Sequence, residues 1–420
     1  MKPEIKERID KIKRGEMPDG YKTSKIGVIP EDWDVKHLED ISNINPRKEV
    51  LDENDTVSFI SMSDVSDDAR LISYQPRLYK EVFKGFTAFR DRDVLVAKIT
   101  PCFENGKGAL VDNLINKTGF GSTEFHVLRS KKNGDELFIY YHTVTDRFRK
   151  IGEKNMTGTA GQKRISTDFV KGFLIPYPRN DIERKKITSI LSTWDKAIEL
   201  KEKLIEQKKK QKKGLMQKLL TGEVRLPGYS GDWKKVKLGE ILKERKETGY
   251  IELELLAITS SKGVVKRTEV DIKDNSSEDK SKYKRILPND IGYNTMRMWQ
   301  GVSGVSKYEG IVSPAYTILK PTNKVNSNFI GYLFKLPKII NLFRRYSQGL
   351  VSDTLNLKYE NLKGIKVTIP QDVEEQKKIA EILLSIDNEI EMLQEYVNYL
   401  KQQKKGLMQL LLTGKVRVKV

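Results

Sequence analysis

Between residues 372 and 412, Ile379, Ile386, Leu393, Leu400 and Leu407 recur every seven residues, and Ile382, Ile390, Val397 and Leu411 fill a neighbouring stripe. That period predicts a long helix with a coiled-coil seam. Asp372 stands where an N-cap belongs and Gly414 where a helix stops. Residues 181–220 open the same way, with Ile187, Ile190, Leu191, Trp194 and Ile198, and Leu215 near the end; Asp181 and Gly222 bound them. Lys201 and Lys208 stand where the other block has Leu393 and Leu400. The middle of this helix is therefore expected to be more exposed or to shift register, with Leu204 and Ile205 supplying apolar contact nearby.

Elsewhere the pattern is mixed α/β. Asp93–Ile99, Glu124–Leu128, Leu253–Ile258 and Ala315–Leu319 read as strands. Phe138 to Lys150 and Phe329 to Tyr346 read as helical, the latter broken at Leu336-Pro337. Ile5, Ile9 and Ile12 give the N-terminus helical apolar spacing. Gly15-Glu16 followed by Gly20-Tyr21 echoes Gly222-Glu223 followed by Gly228-Tyr229, so this segment is expected to mimic the end of a helical block.

The two helical blocks are copies. Gln211-Lys212-Lys213-Gly214-Leu215-Met216-Gln217 recurs as Gln403-Lys404-Lys405-Gly406-Leu407-Met408-Gln409, an offset of 192 residues. The match runs without a gap from Lys185-Lys186-Ile187 against Lys377-Lys378-Ile379 to Val224-Arg225 against Val416-Arg417. A weaker echo precedes each half, Asp32-Trp33, Leu38 and Ile41 against Asp232-Trp233, Leu238 and Ile241. A repeat of this kind sets the architecture. It predicts two α/β (α+β) domains separated by two long helices that pair as an antiparallel coiled coil, pseudo-two-fold symmetric like a dimer fused into one chain. The divisions are 1–32, an N-terminal helix and linker; 33–180, a first variable domain; 181–232, a helix and linker; 233–371, a second variable domain; and 372–420, a second helix and tail. Each helix, roughly 35 residues, would run about 50 Å.

Charge narrows the partner. The 420 residues carry 77 Lys and Arg against 58 Asp and Glu, a net +19, which points to a polyanion such as nucleic acid. Cys102 is the one cysteine, which excludes a disulfide scaffold and a multi-cysteine zinc site, and the three histidines (His37, His126 and His142) are far apart in sequence, which argues against a His-rich metal site. No run of about 18 apolar residues is present, and the N-terminus, Met1 to Glu7, is too charged for a signal peptide. The expectation is a soluble, cytoplasmic protein.

Catalytic motifs fail on inspection. Asn45-Pro46-Arg47 lacks the second proline and the aromatic residue that an amino-methyltransferase loop needs. Phe103-Glu104-Asn105-Gly106-Lys107-Gly108 has the wrong spacing for a cofactor loop and suits a turn between strands. No G-x-x-x-x-G-K-[ST] phosphate loop occurs. Pro18-Asp19 with Asp34-Val35-Lys36 is too short a match to signify a nuclease. Nothing in the sequence brings Cys102 to His126 or His142 as nucleophile and base.

Two variable blocks, each followed by a helix ending in Lys-Lys-Gly-Leu-Met-Gln…Leu-Leu-Thr-Gly, resemble the specificity (S) subunit of type I restriction-modification enzymes, over nearly the whole chain. Ala97 to Gly108 and Gly121 to His126, with Asn294 to Gly301 and Ser313 to Tyr316 in the second copy, also resemble the family. The resemblance implies a non-catalytic subunit. Each variable block would be a target-recognition domain reading half of a bipartite double-stranded DNA sequence. The helices would set the half-site separation and dock two DNA adenine methyltransferase subunits, with restriction/translocase subunits joining them. S-adenosylmethionine, ATP and Mg would reside on those partners, and no cofactor or metal on this chain. The alternatives are a stand-alone sequence-specific DNA-binding regulator and a single-chain enzyme with a hidden site.

Base reading requires donors and amides on positioned loops. In the first domain two stretches qualify, Lys98 to Lys107, with Lys98, Thr100 and Lys107, and the loop Thr157-Gly158-Thr159-Ala160-Gly161-Gln162-Lys163-Arg164, with Thr159, Gln162, Lys163 and Arg164. In the second they are Asn294 to Gln300 and Ser347 to Leu350, with Asn294, Arg297, Trp299, Gln300 and Gln348. Arg297 and Gln300 are the best base-contact candidates, and Trp299 could sit beside a flipped base. The run Lys208, Lys209, Lys210, Lys212 and Lys213 suits either DNA tracking or partner docking. Ile187, Trp194, Ile198, Leu215, Ile379, Ile386, Leu393, Leu400 and Leu407 are the candidate helix-pairing and partner positions.

Overall fold

The structure, a computed structural model, describes residues 3–159, 161–270 and 279–419. Ala160 of the first candidate loop, together with Met1, Lys2 and Val420, lies outside the described residues. The chain forms two compact units, one of Met1–Leu200 with Val397–Val420, the other of Lys201–Tyr396. The mixed α/β content fits the sequence pattern.

Each unit has a four-stranded antiparallel sheet of the same plan. In unit 1 the order is Ser42–Ile44, Phe125–Ser130, Val94–Ala97 and Gly108–Leu110; in unit 2 it is Leu242–Arg245, Tyr316–Pro321, Ile291–Asn294 and Ser303–Val305. A separate ribbon closes each domain, pairing Trp33–His37 with Leu174–Pro178, and Trp233–Lys237 with Lys366–Pro370. Unit 1 adds a second four-stranded sheet around Thr56–Ile60 and Thr118–Gly121. The strands are shorter than the apolar runs suggest. Asp93 precedes its strand because its carboxylate accepts the Arg90 N–H at 2.9 Å and Arg129, and Leu253 to Leu255 lie ahead of Leu256–Thr259.

The helix expected over 138–150 is two, Glu136–Thr143 and Asp146–Lys154. Thr145 makes the break by accepting the Phe148 N–H, at 3.2 Å, as an N-cap. Unit 2 has the counterpart pair Ser327–Leu333 and Pro337–Tyr346, started by Asn326 and by Pro337 in the first turn.

The long helices are Asp181–Leu219 and Val373–Leu412. Asp372 accepts the Glu374 N–H at 2.8 Å, but the first helix is capped by Asn180, which accepts from Ile182 at 2.8 Å. Asp181 lies inside the helix, ion-paired with Lys132 and Arg184. Gly222 and Gly414 follow the helices at φ 75° and 70°, where a side chain would strain the backbone and strike Trp233 or Pro30.

The neighbouring stripe also needs correction. Ile382 and Ile190 are exposed, while Leu383 and Leu191 are fully buried. The seam thus alternates by four and three: Ile379, Leu383, Ile386, Ile390, Leu393, Val397, Leu400. Within each unit the helix segments run antiparallel. In unit 1 Asp195 pairs with Lys404 at 2.5 Å and Glu183 with Arg417 at 2.6 Å; in unit 2 Asp387 pairs with Lys212 at 2.5 Å and Glu375 with Arg225 at 2.7 Å. The lysines that interrupt the first seam find partners there, Lys208 on Glu389 at 2.8 Å and Lys201 over the Tyr396 ring. Lys208 and Lys212 of the basic run are therefore engaged inside the fold.

The N-terminal segment forms a helix, Pro3–Lys13, followed by Gly15 at φ 79° as at the ends of the long helices, but it does not supply the arginine over Trp33. In unit 1 that part is played by the chain's own tail. Arg417 lies over Trp33 as Arg225 lies over Trp233, and the Tyr21 hydroxyl donates to the Gly414 carbonyl at 2.7 Å. The helix end beside Trp33 is thus that of the second block, with Tyr21 of the N-terminal segment bonded to it.

Candidate nucleic-acid interface

In unit 1 three segments converge beyond the end of Val94–Ala97. The Lys98 N–H donates to the Glu124 carbonyl at 2.7 Å, and the Lys98 carbonyl accepts from Ile165 at 3.1 Å. Thr157 and Arg164 exchange backbone bonds of 3.0 and 2.8 Å, so the Gly-rich loop is a hairpin standing on the strand end. Gly158 turns it at φ 125°, where a Cβ would meet the Gln162 carbonyl at 2.9 Å.

Unit 2 repeats the construction. The Thr295 N–H donates to the Ala315 carbonyl at 3.2 Å, and the Thr295 carbonyl accepts from Leu357 at 2.9 Å. Gln348 and Asn356 exchange two bonds of 2.8 Å, and Gly349 turns at φ 137° with the Thr354 carbonyl 2.6 Å from a Cβ. The hairpin's return arm, 351–356, lay beyond the stretch picked from sequence. An open cleft of about 540 Å³ adjoins it, lined among others by Lys284, Thr295, Met296, Asn356 and Lys358.

The candidate side chains divide into two groups. Some are engaged by neighbouring groups of the protein, Arg164 while still exposed. Lys98 is half-buried, donates to the Thr123 carbonyl at 2.8 Å, and is shifted below the usual lysine range by burial. Thr100 donates to Glu104. Lys107 donates to the carbonyls of Val65 at 2.6 Å and Met62 at 3.1 Å. Arg164 is forked onto Glu124 with bonds of 2.9 to 3.1 Å, and this hydrogen bonding raises its pKa. Asn294 accepts the Met296 N–H at 3.0 Å, and the Trp299 indole donates to the Met296 carbonyl at 3.1 Å. These residues shape the loops. Others face solvent: Thr159, Gln162 and Lys163 on the first hairpin, Arg297 and Gln300 on the 294–301 loop, and Gln348 on the second hairpin.

Sequence reasoning missed the groups that hold these loops from beneath. Arg149 sends its two terminal nitrogens to the carbonyls of Phe103 at 3.0 Å and Gly106 at 3.1 Å, and burial pushes its pKa down to about 10. Lys335 donates to the carbonyls of Gly301 at 2.8 Å and Ser303 at 2.7 Å. Neither sits in a motif. His126, between Asn45 and the Ile165 carbonyl, and His142 are buried and held far below the usual histidine range, at about 4 and about 3, by desolvation. Among the described residues no group of three or more His, Cys, Asp or Glu could hold a metal ion, and no helix is long and apolar enough to cross a membrane.

Residues 30–209 and 230–402 match the family described as the type I restriction modification DNA specificity domain. The chain belongs to the type I specificity family. The EcoEI specificity subunit of Escherichia coli is 36% identical over 183 residues, 43% of this chain and 30% of its own length. The EcoAI specificity subunit of the same organism is 33% identical over 202 residues, 45% of this chain and 34% of its own; the chain thus spans about a third of these E. coli relatives. A putative type I restriction enzyme specificity subunit, MjaX, of Methanocaldococcus jannaschii is 27% identical over 435 residues, 96% of this chain and 97% of its own. The fold is shared with the type I restriction-modification S subunit from M. genitalium (TM-score 0.54, 17% identity, 92% of this chain and 96% of that one). It is shared too with a chain from a structural study of type I system assembly and conformational transition (TM-score 0.57, 17% identity, 92% and 99%).

Proposed function

We propose that this chain is the non-catalytic DNA-recognition subunit of a type I restriction-modification complex. Residues 33–180 read one half of a bipartite site and residues 233–371 read the other. The paired helices set the half-site separation and dock two adenine methyltransferase subunits, which carry S-adenosylmethionine; restriction/translocase subunits, with ATP and Mg, complete the nuclease. The observation that carries this reading is the shared three-segment construction. Two domains of different sequence present a loop and a glycine-turned hairpin on the same strand end, each with exposed polar and cationic side chains suited to base edges and phosphates.

The test is methylome sequencing of a host carrying this gene with its cognate methyltransferase, beside a host in which residues 33–180 are exchanged. The expected result is a split motif of methylated adenine, one half of which alone changes with the exchange. No split motif in hosts that express both subunits, together with tight sequence-specific binding by the chain alone, would favour a stand-alone regulator.

A further inference from the structure

The two recognition loops are held by one cation each, and the cations come from different places. Tyr141 and Tyr332 are counterparts, since their hydroxyls donate to Asp195 at 2.8 Å and Asp387 at 2.7 Å. Three residues later unit 1 has Val144 and unit 2 has Lys335; eight residues later unit 1 has Arg149 and unit 2 has Ile340. Cation and aliphatic residue have traded positions, yet in both units the cation ends on carbonyls of the loop after the central strand. In unit 2 the aliphatic partner fills the remaining space, its Cδ1 2.8 Å from where a Cβ on Gly301 would stand.

A largely desolvated cation is costly to keep unless hydrogen bonds compensate it. Burial and the nearby Lys212 push Lys335 down to about 8. That cost is sustained where the carbonyls of Gly301 and Ser303 take up the donor.

Resting on the recognition reading above, we infer that Lys335 is a positioning residue for reading the second half-site, and Arg149 its counterpart for the first. Lys335 touches no base. It fixes the carbonyls of Gly301 and Ser303, and with them the register of Arg297 and Gln300 at the loop's solvent edge. Arg149 fixes 103–107 in the same way.

The experiment uses the full chain carrying Lys335→Met, Lys335→Arg, Arg149→Met or Arg149→Lys. Amide hydrogen exchange on the free chain is the first readout. Lys335→Met is expected to speed exchange in 295–303 and leave 98–107 unchanged, with the arginine variant restoring protection; Arg149→Met does the converse. The second readout is methylation by the complex on duplexes with single base changes in one half-site. Lys335→Met should cut discrimination about tenfold at the half-site read by residues 233–371 and leave the other half intact, as loss of a charge-assisted bond allows. Equal losses at both halves, or failure of Lys335→Arg to rescue, would reduce the residue to a general stabiliser and overturn the inference. A wild-type chain without sequence preference would sink the recognition reading alone; in that case unchanged exchange in Lys335→Met would overturn the anchor as well, and faster exchange would support it.

Discussion

At matching places under their ribbons the two units solve one packing problem with opposite chemistry. In unit 1, Arg184, 2% exposed, bonds Asp135 at 2.9 Å, the Pro178 carbonyl at 2.6 Å and Asp181 at 2.6 Å. In unit 2 the counterpart is Gln376, fully buried, which donates to the Pro370 carbonyl at 2.9 Å and Lys324 carbonyl at 3.2 Å and accepts the Asn326 N–H at 2.8 Å. Both tie the ribbon's last strand to the first turn of a long helix. One uses a buried ion pair and the other a neutral amide. The repeat therefore preserves the geometry of the joint while its electrostatics drift, and the two units should fail differently.

The largest effect expected follows from that joint. Arg184→Met leaves Asp135 as a buried carboxylate whose one remaining side-chain partner among the described residues is the Tyr177 hydroxyl, at 2.6 Å, and should destabilise unit 1 by about 3–5 kcal/mol. Gln376→Met strands neutral groups and should cost about 1–3 kcal/mol. Denaturant unfolding of both variants checks the ranking; equal losses would refute the distinction.

The arginines over the two tryptophans invert the simple expectation from bond counting. Arg417 holds Glu183 and Asp32, whereas Arg225 holds, among the described residues, Glu375 alone. Removing Arg417 still leaves Glu183 accepting the Trp33 indole N–H at 3.1 Å. Removing Arg225 leaves Glu375, fully buried, without a side-chain partner among the described residues, and the Trp233 indole already lacks one. Arg225→Ala should therefore cost about 3 kcal/mol and Arg417→Ala about 2 kcal/mol, read from the shift in unfolding midpoint.

Acid should also separate the units. All three histidines lie in unit 1, and two are buried and neutral. Their folded pKa values, about 4 and about 3, lie below the unfolded one. The stability this confers is present above pH ~6.5 and is lost as pH falls toward those values, because the unfolded chain takes up protons first. At pH 5 each histidine should cost unit 1 about 2 kcal/mol. Hydrogen exchange resolved by segment should show Phe125–Ser130 and Glu136–Thr143 opening well before Tyr316–Pro321; simultaneous opening would count against this origin.

Much of this was legible in the sequence because it repeats. The heptads of Ile379 to Leu407, the stops at Gly222 and Gly414 and the two mixed domains follow from period and glycine chemistry. The cap at Asn180 and the stripe through Leu383 were misplaced by one residue, since Asp181 and Ile382 are equally plausible neighbours and only burial separates them. The loops at 157–164 and 294–300 were visible from their small and polar residues. The direction of Lys98, Thr100 and Lys107 was not, because a lysine reads alike whether it reaches solvent or a carbonyl. Arg149 and Lys335 were invisible for a stronger reason. They trade positions between the copies, so even the repeat hides them.

The smallest effect expected tests how strictly the helices need their lysines. Lys208 occupies the seam position that Leu400 fills in the other copy, and Leu400 is 8% exposed. The Lys208–Glu389 pair is partly exposed on both sides and is worth about 0–1 kcal/mol. A leucine there would bury more apolar surface, a gain of about 1 kcal/mol that slightly exceeds the lost pair. Lys208→Leu should thus raise the thermal midpoint by a degree or two at low salt, and by more at high salt, where the pair it replaces is screened. A lowered midpoint at both salt levels would mean that the ion pair, and not apolar contact, sets the register of this stretch.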